Sequence, residues 1–447
     1  MTSTFPVVVI CPASVMDPWV RAWQAWAPHL RTVAWRGTPD RRRQLSGAAD
    51  VYVVSYDTAT RDIGTVAKPG PLLKMAPASL VLDECHLIKN PNSKRSTHVR
   101  RLASKAGTVV ALSGTPITHN PSDLWPTLVA LDGDAWPARE RWVNRYCETV
   151  PGDYSDKILG LDPDREPEFR TALLGQHRRV AKADVLDQLP PKVYSTREVE
   201  LPAGYRKAYD DLERDMFARM PDGQELGAGL ILTVMGQLSL IASAAADVEV
   251  TYTPELDEQG VPTGLQKPHY HVELKAPSWK VDALLEVLEE RPAKQTVVFA
   301  PSKQLIMLAG QAATAAGYRV GYIVGGQSPK ARTATVDSFQ AGGLDVICVT
   351  TQAGGVGITL TAASTAVFLQ RPWSLVDALQ GEDRLHRIGA EHHECIEIID
   401  IVASNTIDSR VRTMLREKAG QLADLVQDPR IVAELLGGES VTQQGKK

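Results

Sequence analysis

Short, unbroken runs of β-branched and aliphatic residues recur along this chain, and each is followed by a stretch with helical spacing. In the first half the runs are Pro6–Cys11, Val51–Ser55, Ser79–Leu82 and Val109–Leu112; in the second they are Thr296–Ala300, Arg319–Val324, Val346–Thr350 and Ala366–Leu369. Runs without polar alternation suit strands covered on both faces, the environment of a parallel sheet. The intervening segments, such as Gln304–Ala316 and Pro329–Phe339, carry helical patterning. Trp19, Trp23 and Trp26 recur at a spacing that predicts one core-facing helix face. Strand and helix in alternation define an α/β class with a mostly parallel sheet, here twice over.

The middle of the chain breaks the pattern. Pro202–Met220 is polar and helical, Leu226–Ala246 has no charged residue, and Val248–Thr253 and His269–Leu274 alternate around DEQGVPTG, which predicts a β-hairpin. The uncharged run is long enough to span a bilayer. Gly227, Gly229, Gly236, Gln237 and Ser243 within it favour a buried helix, and no membrane association is expected. The opening residues MTSTFPVVVICP have neither the basic region nor the cleavage site of a signal peptide. Five cysteines without a CxxC pair or zinc-ligand spacing point to a reduced, cytoplasmic or nucleoid-associated setting. A formal net charge of −4 over 447 residues argues against coating nucleic acid by bulk charge and leaves room for a local basic groove. The tail after Gly437 is expected to be disordered.

Four segments carry chemistry. SLVLDECHLIKN, residues 79–90, is an apolar strand ending in Asp83, Glu84, Cys85 and His86. A nucleotide hydrolase needs one carboxylate to hold Mg²⁺ through its water shell and a second to orient the attacking water. Adjacent acids at the C-terminal end of a strand reach the edge of a parallel sheet where ligands bind. The tetrapeptide also arises by chance, so alone it only suggests this. In VVALSGTPITHNPSDLW, residues 109–125, Ser113, Gly114 and Thr115 follow a strand, where small hydroxyl residues can hydrogen-bond a phosphate-sensing carboxylate; SGTP taken alone reads as an ordinary turn. In QGEDRLHRIG, residues 380–389, Gln380, Arg384 and Arg387 share a face if they lie on one helix. Two guanidinium groups aimed one way suit a departing phosphate, although a solvated mixed-charge helix has the same pattern. In TTQAGGVGITLTAAS, residues 350–364, Gly355 and Gly357 let backbone approach a phosphate closely, a weak signal in isolation.

The order of these segments is more telling than any one of them. PVVVICPASVMDPWVRAW resembles motif Ia of the SWI/SNF-type helicase-like DNA translocases of helicase superfamily two, and VVSYDTAT resembles motif Ib. DECHLIKNPNSKRS and LSGTPITHNPSDLW are similar to motifs II and III, and RRVAKADVLDQLPPK to the segment closing the first lobe. SWKVDALLEVLEE with VVFAPSK, AGGVGITLTAAS and QGEDRLHRIG resemble the second-lobe entry with motif IV, motif V and motif VI; NTIDSRVRTMLREKAGQLADLV resembles the helices that follow. The resemblance covers about residues 6–427, in order, and is greatest to compact phage, bacterial and annealing-helicase-like members. It implies two RecA-like lobes with a helical insertion between them, binding ATP and Mg²⁺ in the cleft. Asp83 would hold Mg²⁺ through water and Glu84 orient the attacking water. His86, Ser113, Gly114, Thr115, Gly355 and Gly357 would line the nucleotide, and Gln380, Arg384 and Arg387 would act from the second lobe. The expected partner is double-stranded DNA, contacted by Ser14, Ser55, Tyr56, Ser302, Thr350 and Thr351, with an ordinary surface-loop reading open for each. Arg41, Arg42 and Arg43 would add phosphate contacts unless they are a solvated charge run.

The expected division is a first lobe over residues 1–200, a helical protrusion with the hairpin over 201–275, a second lobe over 276–427 and a tail over 428–447. Departures from the family pattern include Ala390 in place of a glutamine and Gln370 in place of an acid. The larger departure is the P-loop: G-x-x-x-x-G-K-[ST] occurs nowhere in the sequence, and only five residues precede Pro6. The first lobe is therefore expected to be N-terminally truncated, with the P-loop encoded upstream or carried by a partner chain, and these residues alone to be inactive or weakly active on ATP. Three functions remain open: an ATP-driven double-stranded DNA translocase; a non-enzymatic DNA-binding pseudo-ATPase or a fragment of a split gene; and a strand-separating helicase or a restriction-system motor, against which the spacing around LPPK and NTIDSR argues.

Overall fold

Each of the eight aliphatic runs forms a strand, and the central ones, Val7–Cys11, Val51–Ser55, Thr296–Ala300 and Val346–Thr350, are buried throughout. The computed structural model describes residues 5–415 except 115–120, 152–156, 175–177, 179, 181–184, 219–227, 257–261, 293 and 355–357. The chain divides into two units, Met1–Val185 and Leu186–Lys447.

In the first unit Val7–Cys11 (β1), Thr32–Ala34 (β2), Val51–Ser55 (β3), Ser79–Asp83 (β4) and Thr108–Leu112 (β5) form an all-parallel sheet in the order β2-β3-β1-β4-β5. Successive side chains of a strand point to opposite faces, so β1 and β3 feed two cores. Val8, Ile10, Tyr52, Val54, Leu80 and Leu82 lie on one side, and Val7, Val9, Cys11, Val51 and Val53 on the other with Met16. Helix α1, Met16–Trp26, covers this second side through Trp19 and Trp23. Trp26 does not join them: it ends the helix and is 90% exposed, so the expected core face is two tryptophans rather than three. At β5 the sheet ends in an edge on which Val110 is 44% and Leu112 40% exposed. Helices α2 (Pro39–Leu45) and α3 (Tyr56–Ile63) are N-capped by the Thr38 and Ser55 hydroxyls. An antiparallel pair, Cys147–Val150 (β6) with Lys157–Leu161 (β7), lies later in the unit.

The second unit contains Lys192–Val199 (β8), Ala245–Leu256 (β9), Pro262–Lys275 (β10), Thr296–Ala300 (β11), Val320–Ile323 (β12), Val346–Thr350 (β13), Thr365–Phe368 (β14) and Ile396–Ala403 (β15). Its parallel sheet runs β12-β13-β11-β14-β15-β8. The expected boundary at residue 200 is thus too late, because β8 pairs along its whole length with β15. The segment expected as a protrusion is also part of this unit. Tyr209, Leu238 and Ile241 from the helices Ala203–Ala218 and Ala228–Ile241, and Val272 and Leu274 from the β9-β10 hairpin, pack in one core with Val298, Val346 and Val367. Gln304 fastens the hairpin by accepting from the Leu274 amide at 2.7 Å and donating to the Val272 carbonyl at 3.1 Å. The described part of the uncharged run is a 14-residue helix followed by the start of β9, and no helix among the described residues is long and apolar enough to cross a membrane. The tail over 428–447 lies outside the described residues.

Candidate active site

Asp83 is the last residue of β4, and Glu84 turns the chain out of the sheet. Glu84 has φ 52° and ψ 55°, a left-handed conformation that a residue with a Cβ adopts at a cost of about 1–3 kcal/mol. The turn throws the two carboxylates in different directions. One Asp83 oxygen, Oδ2, accepts from the indole N–H of Trp19 on α1 at 2.7 Å, while the Asp83 carbonyl accepts from the Tyr56 hydroxyl at 2.8 Å. Burial raises the Asp83 carboxyl above the ordinary aspartate range, and the neighbouring Glu84 charge adds to the rise despite the Trp19 hydrogen bond. Glu84 lies with Oε2 3.2 Å from Nδ1 of His86, and the same Nδ1 is 3.2 Å from Oγ of Ser113 just past β5. His86 therefore ties Glu84 to the end of the next strand. Gly114 follows, exposed, while Thr115 falls outside the described residues. The intervening Cys85 is structural: burial pushes its thiol up to about 12.

These groups suit a hydrated Mg²⁺. The cation takes few protein ligands, keeps several waters and shares phosphate oxygens, so two half-buried carboxylates side by side are a fitting donor set. Asp83 would hold it through water and Glu84 would face the attacking water. Among the described residues no group of three or more His, Cys, Asp or Glu converges as a protein cage for a metal.

In the second unit the arginine segment departs from the expected geometry. The helix Leu375–Glu382, capped by Ser374, stops two residues before Arg384, so Gln380 lies on it while Arg384 and Arg387 do not. Short-range bonds replace the helix: the Arg384 amide donates to Gly381, His386 to Glu382 and Ala390 to Arg387. The turn then docks on residues 358–361. Leu360 donates its amide to the Arg384 carbonyl at 2.9 Å, and Arg387 Nη1 donates to the Ile358 carbonyl at 3.3 Å and the Thr359 hydroxyl at 3.2 Å. Gly389 has φ +104°, and a Cβ there would meet the Thr361 hydroxyl at 3.3 Å. Arg384 is 9% exposed. The two arginines are thus brought together by a turn bound to motif V; Gly355 and Gly357 of that motif fall outside the described residues. Gln370, in place of the family's acid, donates to the Ser239 carbonyl at 2.8 Å and the Ser243 hydroxyl at 3.0 Å, a packing role.

The residues expected to contact DNA are mostly committed elsewhere. Tyr56 is 3% exposed and supports Asp83 from beneath. Ser55 caps α3, and Ser302 caps the helix Lys303–Ala315. Thr350 and Thr351 are buried where β13 ends, and only Ser14 among the six is exposed. Of the arginine run, Arg42 is buried in an ion pair with Asp62, its Nε 2.6 Å from Oδ2, instead of facing phosphate. Trp19 is the residue that sequence reasoning missed at the site. Its helical spacing signals only an apolar face, and nothing local announces that its indole reaches Asp83.

An acidic pair at the end of a central strand in one parallel α/β unit, and a buried arginine turn in a second, define a two-lobed protein of the helicase-like class. The model of the SNF2-related domain matches residues 1–242, and that of the helicase conserved C-terminal domain matches residues 279–389. The chain belongs to the SNF2-related family. It is 27% identical over 96% of its length to the putative ATP-dependent helicase/translocase YwqA of Bacillus subtilis, and covers 44% of that protein. It is 25% identical to the TATA-binding protein-associated factor MOT1 of Saccharomyces cerevisiae over 98% of its length, covering 25% of that protein. The yeast ISWI chromatin-remodeling complex ATPase ISW1 is 25% identical over 92% of the chain, which covers 35% of it. The chain thus spans less than half the length of these relatives. A solved SWI2/SNF2 ATPase core from Sulfolobus solfataricus in complex with double-stranded DNA is similar over 97% of this chain and 86% of that one, with a TM-score of 0.40 and 20% identity.

Proposed function

We propose that these 447 residues are the motor core of an ATP-dependent double-stranded DNA translocase. The observation that carries this reading is the Asp83–Glu84 pair at the end of β4, tied through His86 to Ser113, in a chain of the SNF2-related family. Mg²⁺·ATP would supply the electrophilic phosphoryl group and the charge to be stabilised. Asp83 would hold the hydrated cation, Trp19 would fix which Asp83 oxygen is presented, and Glu84 would orient the water for attack. Arg384 and Arg387 contribute the charge that meets the departing phosphate, and DNA is tracked through its backbone without base reading.

The lysine-bearing phosphate loop such chemistry requires does not occur here as G-x-x-x-x-G-K-[ST]. In our reading it comes from outside these residues, from a preceding segment or a partner chain. Among the described residues β5 ends its sheet with Val110 and Leu112 exposed, which is compatible with an added strand there. The same missing loop favours a second reading, a DNA-binding pseudo-ATPase. Duplex-stimulated hydrolysis with triplex displacement on linear DNA, measured with the phosphate loop supplied by the preceding segment or a partner chain, decides between them. A translocase displaces the third strand only with ATP and loses this with Glu84→Gln; a pseudo-ATPase binds duplex and does neither.

A further inference from the structure

The chain enters the second unit through residues 186–191 and at once becomes β8, the outer strand of its sheet. This entering stretch touches the arginine segment on both sides of Arg384. Glu382, two residues before Arg384, is fully buried; its Oε2 accepts from the Tyr194 hydroxyl at 2.8 Å and from Lys192 Nζ at 3.1 Å. Two residues after Arg384, Nε2 of His386 lies 3.0 Å from the Pro190 carbonyl. The far side of Glu382 is held as well: Oε1 accepts from Arg371 Nη1 at 2.7 Å, and Arg371 Nε donates to Asp400 of β15 at 2.7 Å. Arg371 in turn lies 4.0 Å from the ring centre of Phe368.

A carboxylate with no exposure and two cationic partners is a costly way to fasten an edge strand, since well-packed apolar residues commonly give equal or greater stability. What ionic pairing adds is directionality: each donor fixes the position of one oxygen, and Glu382 is where the helix ends and the arginine turn begins. The turn begins at Glu382, and any shift that carries Glu382 with it breaks bonds to β8.

We propose that Lys192 and Tyr194 are positioning residues for the arginine turn, so that the chain entering the second unit sets, through Glu382, where Arg384 and Arg387 stand. The inference rests on the proposed function only in giving those arginines their task. Displacement of residues 186–191 is then transmitted to the turn, which makes the connection between the units a regulator of phosphate chemistry as well as a tether.

The test is amide hydrogen exchange on the full chain, comparing wild type with Tyr194→Phe, Lys192→Met and Lys192→Arg. Loss of a bond to a buried charged group lowers the stability of the whole unit, and beyond that shared change it should speed exchange across residues 384–390 about tenfold relative to the helix Lys303–Ala315. Lys192→Arg should keep the wild-type rate. Unchanged exchange across 384–390, or equal acceleration throughout the unit, overturns the proposal, the latter because it shows a merely structural role. A second arm measures turnover in the completed motor. Tyr194→Phe should lower kcat and leave KM for DNA unaltered, and should cost nothing further in an Arg387→Ala background. If Arg387→Ala itself leaves turnover intact while exchange responds as expected, the proposed function falls and the coupling stands. If Arg387→Ala abolishes turnover and the turn ignores Tyr194 and Lys192, the coupling falls.

Discussion

Arg42 separates a core residue from a DNA contact, and the structure sets the size of the effect. It sits on α2 in a run of three arginines, yet its side chain is 8% exposed and that of its partner Asp62, on α3, is 11% exposed. Two bonds join them, Nε to Oδ2 at 2.6 Å and Nη2 to Oδ1 at 2.9 Å, and the indole of Trp35 donates to Oδ2 at 2.7 Å. Arg42→Ala leaves a buried carboxylate that keeps the Trp35 indole but has lost both guanidinium bonds, so the first unit should lose about 3–5 kcal/mol. Replacing both partners, Arg42→Met with Asp62→Leu, should recover most of that loss because no charge is left stranded. Arg41→Ala and Arg43→Ala, at exposed positions, should each change stability by no more than about 0.5 kcal/mol. Urea unfolding followed by tryptophan fluorescence is suited to this unit, which holds all nine tryptophans except Trp279 and Trp373. The pH dependence provides a second check. Burial pushes the Asp62 carboxyl up, but the Arg42 and Trp35 hydrogen bonds outweigh it and hold the carboxyl below its usual range. The stabilisation is therefore fully present above the ordinary aspartate value of about 3.9 and is lost as pH falls through the lower folded-state value. An Arg42→Ala protein with an unchanged unfolding midpoint, but with a salt slope of duplex binding reduced by about 1, would refute this account and make Arg42 a phosphate contact.

Other outcomes follow from the site. Glu84→Gln should leave DNA affinity intact and reduce turnover of the completed motor by well over about tenfold, more than roughly 1.4 kcal/mol of barrier; a smaller loss removes Glu84 from the role of orienting water. Arg387→Ala should cost on the order of 10³ in rate, and Arg387→Lys should not rescue it, because an ammonium is a point charge without the planar guanidinium fork suited to a departing phosphate; full activity of the lysine variant would mean that general positive charge suffices. Native protein should react with a thiol reagent at Cys395 alone, since Cys11, Cys85, Cys147 and Cys348 are buried and their thiols are pushed up to about 11 or 12, chiefly by burial; fast labelling of a second cysteine counts against the packing described.

Much of the fold could be read from residue type because central parallel strands are buried on both faces. Val51–Ser55, Thr296–Ala300 and Val346–Thr350 are strands with the expected ends. Very short and half-polar strands were not legible. β2 has three residues, and β8 reads KVYSTREV, a half-polar sequence that becomes a strand only by pairing with β15 far along the chain. The Asp83–Glu84 pair was legible because its chemistry and its strand end are contiguous. The arginine turn was misread as helix because QGEDRLHRIG keeps helical spacing; what stops the helix at Glu382 is tertiary, through Lys192, Tyr194, Arg371 and the Leu360 amide. Hydroxyl residues at strand ends suit both phosphate contact and helix capping, and the structure uses Ser55 and Ser302 as caps. Trp19 and Arg42 were invisible for the same reason: their partners Asp83 and Asp62 are remote in sequence.

The most direct test of the central claim is ATP hydrolysis with and without duplex DNA, by residues 1–447 alone and joined to any segment encoded immediately upstream. The account predicts that the 447 residues alone stay near background. It predicts that supply of a phosphate loop restores turnover, that duplex stimulates this more than single-stranded DNA, and that Glu84→Gln abolishes it. Robust hydrolysis by the lone chain, or a completed motor that duplex fails to stimulate and Glu84→Gln fails to stop, would contradict it.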